Sequence, residues 1–133
     1  MANWRTRHRR RRTRAEDWHN NNLCQDIEAA IPDHPFYLPA AVDFVQSLGL
    51  SNQVCIGNLG TNLGFYNVHG DKGITLSDRT PTKHWPTLLH ELSHAVLDEH
   101  DDPWFPIHGH NFRRTLRDLI LTWEKWIAAS DLT

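Results

Sequence analysis

No apolar run in the 133-residue chain approaches the roughly 18 residues that a membrane-spanning helix needs. The charged N-terminus is not followed by an apolar stretch, so no secretory leader is expected, and a cytoplasmic location is the working expectation. Cysteine is scarce. Cys24 and Cys55 are the only two, too few for a disulfide framework. They form no Cys-x-x-Cys pair, so a thiolate zinc site is not expected, and two thiols in a reducing compartment suffice to explain them. Acidic residues are missing altogether before Glu16, and Gly and Pro are missing between Thr87 and Glu99. The first gap implies a charge asymmetry and the second an unbroken helix.

The asymmetry is large. Seven of the fourteen Lys and Arg residues lie in the first fourteen positions: Arg5, Arg7, Arg9, Arg10, Arg11, Arg12 and Arg14. From Glu16 onward seven cations face sixteen anions, a balance of about −9. Like charges at the density of residues 1–14 repel and favour a disordered arm. Such an arm suits nucleic-acid phosphates, bound by counterion release with little sequence preference, and Trp4 could stack on a base. Residues 15–133 are long enough for one domain with a modest core.

The helix implied by the second gap carries His90-Glu91-Leu92-Ser93-His94, an H-E-x-x-H motif. Pro86 suits its first turn. Leu88, Leu89, Leu92, Ala95 and Val96 recur at helical spacing. Residues four apart share a helix face, so His90 and His94 offer two imidazoles to one metal ion. Glu91 stands beside them as a general base. A catalytic zinc site takes three protein ligands and keeps a position for water, whose pKa falls to about 7 when bound.

The third ligand has several candidates. His100 has the six-residue metzincin spacing from His94, but Leu97 stands where that pattern wants Gly. Glu124, the only Glu past Glu99, lies far along the last helix. That leaves His108 and His110, and Gly109 favours His108 by allowing a tight entry into the next helix. Among the acids, Asp102 and Asp118 are candidate partners for a ligand imidazole N–H. The run Asp98 to Asp102 reads as a solvated loop rather than a second metal site.

Elsewhere the pattern predicts helices over 15–31, with Leu23, Ile27 and Ala30 or Ile31 as its stripe, and over 39–48, closed by Gly49. A third helix, 111–129, buries Phe112, Leu116, Leu119, Ile120, Trp123 and Ile127. Arg113, Arg114 and Arg117 fall mostly outside that stripe. Short strands are expected at 54–59, 64–68 and 73–76. Tyr66, on the second, is the candidate donor to a developing oxyanion. Ile74–Leu76 is the candidate edge strand for a substrate main chain. His8, His19, His34, His69 and His84 read as surface or capping residues, and residues 103–106 as an aromatic loop beside the site.

The run from His90 to Leu97, followed by His108-Gly109-His110-Asn111-Phe112, resembles the SprT-like zinc metalloproteases and their small actinobacterial and phage relatives. The resemblance runs from about Phe36 to Trp126. It implies that His90, His94 and His108 hold Zn2+, that Glu91 is catalytic and that Phe112 is a packing residue. It also implies a compact α+β, zincin-like core and a protein or peptide substrate. Two other classes stay open. One is a nucleic-acid-binding module whose structural zinc has His110 as fourth ligand, and the other a zinc hydrolase acting on a non-peptide amide.

Overall fold

A computed structural model describes residues 14–99 and 108–131. Residues 1–13, with the basic arm apart from Arg14, lie outside this range, as do His100, Asp101, Asp102 and the aromatic loop. The described elements are α1 (Arg14–Ala29), α2 (Leu38–Ser47), β1 (Val54–Gly57), β2 (Gly64–Tyr66) and β3 (Ile74–Ser77). A 3-10 turn (Pro81–Lys83), α3 (His84–Glu99) and α4 (His110–Asp131) follow. The class is α+β. None of the described helices is long and apolar enough to cross a membrane.

Each helix follows from local chemistry. Glu16 and Asp17 in the first turn of α1 face the positive end of its dipole. Pro39 lies in the first turn of α2, where its missing N–H is harmless. That helix ends in a Schellman arrangement: Gly49 takes φ +77°, its N–H bonds Gln46 O at 2.9 Å, and Leu50 N–H bonds Val45 O at 3.3 Å. Pro86 falls in the first turn of α3, and the helix runs unbroken through Leu97 to Glu99.

The sheet has the order β1-β3-β2, with β1 parallel and β2 antiparallel to β3. This corrects the expected edge strand. Ile74–Leu76 lies in the central strand, and both Ile74 and Leu76 are fully buried. Among the described residues, the strand next to α3 with an unpaired side is β2. Pairing β1 directly with β3 requires β2 to be laid down on the far side, a long-range choice that alternation along one strand does not encode.

The core lies between the sheet, α3 and α4. Leu88, Leu89 and Leu92 of α3 are fully buried, and Phe112, Leu116, Leu119 and Trp123 of α4 close over them. Trp85 meets Phe36, Trp123 and Trp126 at ring separations of 5.1, 5.4 and 6.1 Å and donates its N–H to Pro35 O. This aromatic cluster fixes the start of α3, and with it the rotation of the motif-bearing face. Two polar residues depart from expectation. His84 is buried, with Nε2 2.8 Å from Ser77 O, because the end of β3 offers it an acceptor. Arg113 is half-buried rather than solvated, for a reason that belongs to the site.

Candidate metal centre

The i, i+4 spacing of α3 puts His90 and His94 side by side, with ring centroids 5.1 Å apart. The turn into α4 brings His108 against both, at 4.7 Å from His90 and 5.4 Å from His94. One nitrogen from each of the three rings lies within 4.8 Å of the others, a group able to hold a metal ion. His90 Nε2 and His108 Nε2 lie 3.1 Å apart. Phe112 backs the group, 5.0, 4.5 and 4.8 Å from His90, His94 and His108. His110 is exposed at the start of α4 and stands apart from this group. Glu124 is exposed along the same helix.

His108 is reached at a conformational cost. Its φ is +56°, a left-handed value uncommon for residues other than Gly. The sequence places the permissive residue at Gly109, but the chain turns one position earlier. Arg113 holds that turn. Its guanidinium donates to His108 O at 2.8 Å and to Asn20 Oδ1 at 2.9 Å, which is why it leaves the solvated face.

The outer nitrogens are held by α1. His90 Nδ1 lies 2.8 Å from Glu28 Oε1, and His108 Nδ1 lies 2.7 Å from Asn21 Oδ1. Glu28 therefore has the role for which Asp102 and Asp118 were candidates. Asp118 is exposed on α4, and Asp102 is outside the described range. Cys24 is buried beside them, with Sγ 3.8 Å from His90 Nδ1 and 3.7 Å from Glu28 Oε2. Cys24, Glu28 and His90 form a second group with metal-binding spacing that shares His90. Burial and the neighbouring Glu28 push the Cys24 thiol up to about 12, so it stays protonated. Sequence reasoning missed Asn21, Cys24 and Glu28. Their signal was a stripe at helical spacing, since positions 21, 24, 25 and 28 share one face of α1.

The electrostatics separate the three imidazoles. Burial, then repulsion from His90 and His108, drives His94 down to about 3. Burial and His90 drive His108 down to about 4. Burial also acts to lower His90, but the Glu28 hydrogen bond and charge, with Glu91, outweigh it and leave His90 raised. At neutral pH His94 and His108 thus have free lone pairs, the form a metal ion needs. Glu91 is 9% exposed, and burial reinforced by Glu28 raises its carboxyl against the pull of His90.

An open cleft of about 480 Å3 gives access to this group. Asn21, Gln25 and Glu28 line it from α1, Thr61 to Gly64 from the entry to β2, and His90, Glu91 and His108 from the centre. A larger hollow of about 720 Å3, between residues 33–39 and Pro81, contains none of the converging histidines. Gly64 marks where β2 crosses α3. A Cβ built there would sit 3.3 Å from Glu91 Oε2 and far inside contact distance of Thr87 Cγ2. Tyr66 makes no hydrogen bond to the histidines among the described residues. Its hydroxyl donates to Asp98 Oδ2 at 2.7 Å, and Lys72 Nζ meets the same oxygen at 2.7 Å. Burial and that hydrogen bond raise the Tyr66 phenol. Asp98 is thus paired, and its carboxyl is lowered by its hydrogen bonds from Lys72 and Tyr66.

Comparison of the chain with protein-family models, with curated proteins and with solved structures found no match.

Proposed function

We propose that the chain is a zinc-dependent metallopeptidase of zincin type, with His90, His94 and His108 as ligands and Glu91 as general base. The observation that carries this reading is the convergence of three imidazoles beside a buried carboxylate in an open cleft. The donor set fits zinc, which favours imidazole nitrogen and, in catalytic sites, three protein ligands. Bound zinc would polarise a substrate carbonyl and lower the pKa of water to about 7. Glu91 takes a proton from the attacking water and returns it to the leaving nitrogen as the C–N bond breaks. A carboxyl raised by burial suits both halves of that exchange near neutral pH.

The side of β2 left unpaired among the described residues, next to Glu91, favours a peptide over another amide. A substrate main chain can add to such an edge as a further strand, and Gly64 lets the backbone pass close to the base. A closed structural site is disfavoured because His110 stands apart from the histidine group. In this reading the arginines at positions 5 to 14 supply a separate attraction for nucleic-acid phosphates.

Zinc content and proteolysis test the assignment together. Wild type should hold one zinc per chain. His90→Ala and His108→Ala should lose it, and His110→Ala should keep it. Glu91→Gln should keep zinc and lose about 10²–10⁴-fold in turnover of a protein substrate. Metal-free wild type, or full proteolysis by Glu91→Gln, would overturn the assignment.

A further inference from the structure

His90 and His108 are arranged alike. Each turns Nε2 inward, and the two Nε2 atoms lie 3.1 Å apart. Each turns Nδ1 outward to an acceptor oxygen of α1, Glu28 for His90 at 2.8 Å and Asn21 for His108 at 2.7 Å. A neutral imidazole carries one proton. An acceptor at Nδ1 keeps that proton there and leaves the Nε2 lone pair for a metal. The same hydrogen bond fixes the rotation of the ring. The two acceptors are Asn21 and Glu28, seven residues or about two helical turns apart, so one rigid helix sets both rings at once. Cys24 lies between them on the same face, is 1% exposed, and packs its Sγ against His90 Nδ1.

These contacts also matter for α1 itself. Cys24 is the one buried residue among the sixteen of this helix. With Ile27 packed half-buried against the core, the helix is attached by few apolar contacts and by polar contacts to two metal-facing histidines and, through Asn20, to Arg113.

From this we propose that Glu28 and Asn21 are positioning residues for zinc, acting through His90 and His108, and that zinc binding and the docking of α1 support each other. The inference rests on the reading of His90, His94 and His108 as metal ligands. Ordering the rings in advance strengthens zinc binding. By linkage, bound zinc must in turn favour the docked helix.

The test is zinc affinity, by competition with a chromophoric chelator, on the full chain. Glu28→Ala and Asn21→Ala should each weaken zinc binding about 10–100-fold. Glu28→Gln keeps an acceptor oxygen and should recover part of the loss. Asp26→Asn removes a charge from the exposed side of the same helix and should leave affinity unchanged. Hydrogen exchange supplies a second readout. Zinc should slow exchange along α1 in wild type and do so less in Glu28→Ala and Asn21→Ala. If Glu28→Ala fails to fold, Asn21→Ala, at the exposed end of the contact, carries the test. Affinities within about twofold of wild type in folded variants, or equal protection of α1 with and without zinc, would overturn the proposal. Failure of the wild type to bind zinc is a different result, and would remove the metallopeptidase reading beneath it.

Discussion

Gly64 offers the sharpest test of how the cleft is built. Its φ lies outside the left-handed region, so the residue is required for space and not for backbone freedom. A Cβ at this position collides with Thr87 Cγ2 and presses on Glu91 Cγ and Oε2, both at 3.3 Å. Thr87 is buried, and its short β-branched side chain is restricted to two χ1 rotamers in a helix. It cannot swing aside as a Lys tip would. Gly64→Ala must therefore push β2 away from α3, an overpacking that costs about 1–3 kcal/mol. Thr87→Ser removes the colliding methyl and retains the hydroxyl, at a cost near 0.8 kcal/mol for the buried group lost. The double variant should then be more stable than the sum of the two losses allows, by a coupling of about 1 kcal/mol or more. Urea unfolding of the four proteins gives that coupling. The same displacement carries the β2 edge away from Glu91, so Gly64→Ala should also lower kcat/KM, with Thr87→Ser restoring part of it. Strictly additive losses would refute the close-approach argument. A Gly64→Ala protein as stable as wild type would refute the packing of β2 on α3.

The remaining predictions concern Tyr66 and the protons on the histidines. Tyr66→Phe should leave kcat/KM unchanged and cost about 0.5–1.5 kcal/mol or less in stability, because its hydroxyl serves the half-buried Asp98, which Lys72 also holds. A loss of about 10²–10³ in kcat would restore it as an oxyanion donor. Zinc affinity should fall on acidification, because protons compete for the same nitrogens. Between pH 5 and the ordinary histidine value of 6.5, His94 at about 3 and His108 at about 4 are already neutral, and the raised His90 still carries a proton. Log affinity against pH should therefore have a slope near one in that window, where three ordinary imidazoles would give a slope approaching three. A measured slope of three would refute the burial-driven separation of the imidazoles.

Features set by neighbouring residues in the chain were legible in the sequence. The run without Gly or Pro from Thr87 to Glu99 becomes α3, the spacing of Phe112, Leu116, Leu119 and Trp123 becomes the buried face of α4, and Gly49 closes α2. The convergence of His90, His94 and His108 follows from a helical period plus a turn. What escaped depends on contacts between distant segments. Glu28 lies 62 positions from His90, and Asn21 lies 87 from His108. No local period links such pairs. Strand order failed in the same way, since alternation says that Ile74 and Leu76 are buried on one face and not which strands flank them. His84 misled because a polar side chain just before the expected helix reads as surface until the end of β3 gives it an acceptor.

The site's three imidazoles are not equivalent, and the difference comes from how each is attached. His90 and His94 are fixed by the helix that carries them, at no conformational penalty. His108 stands on a left-handed residue, a conformation that costs on the order of 1–3 kcal/mol and persists where surrounding contacts over-determine it. Those contacts are Asn21 on its ring and Arg113 on its carbonyl, and Arg113 is in turn held by Asn20. Two adjacent asparagines of α1 thus hold the third candidate ligand in place, one directly and one through an arginine of α4. Asn20 and Asn21, residues that favour turns over helix interiors, are in the folded chain what holds the strained turn toward α3. A chain that relaxed His108 into an ordinary conformation would gain backbone stability and move the ring away from His90. The strain is therefore better explained by a requirement of the site than by a requirement of the fold.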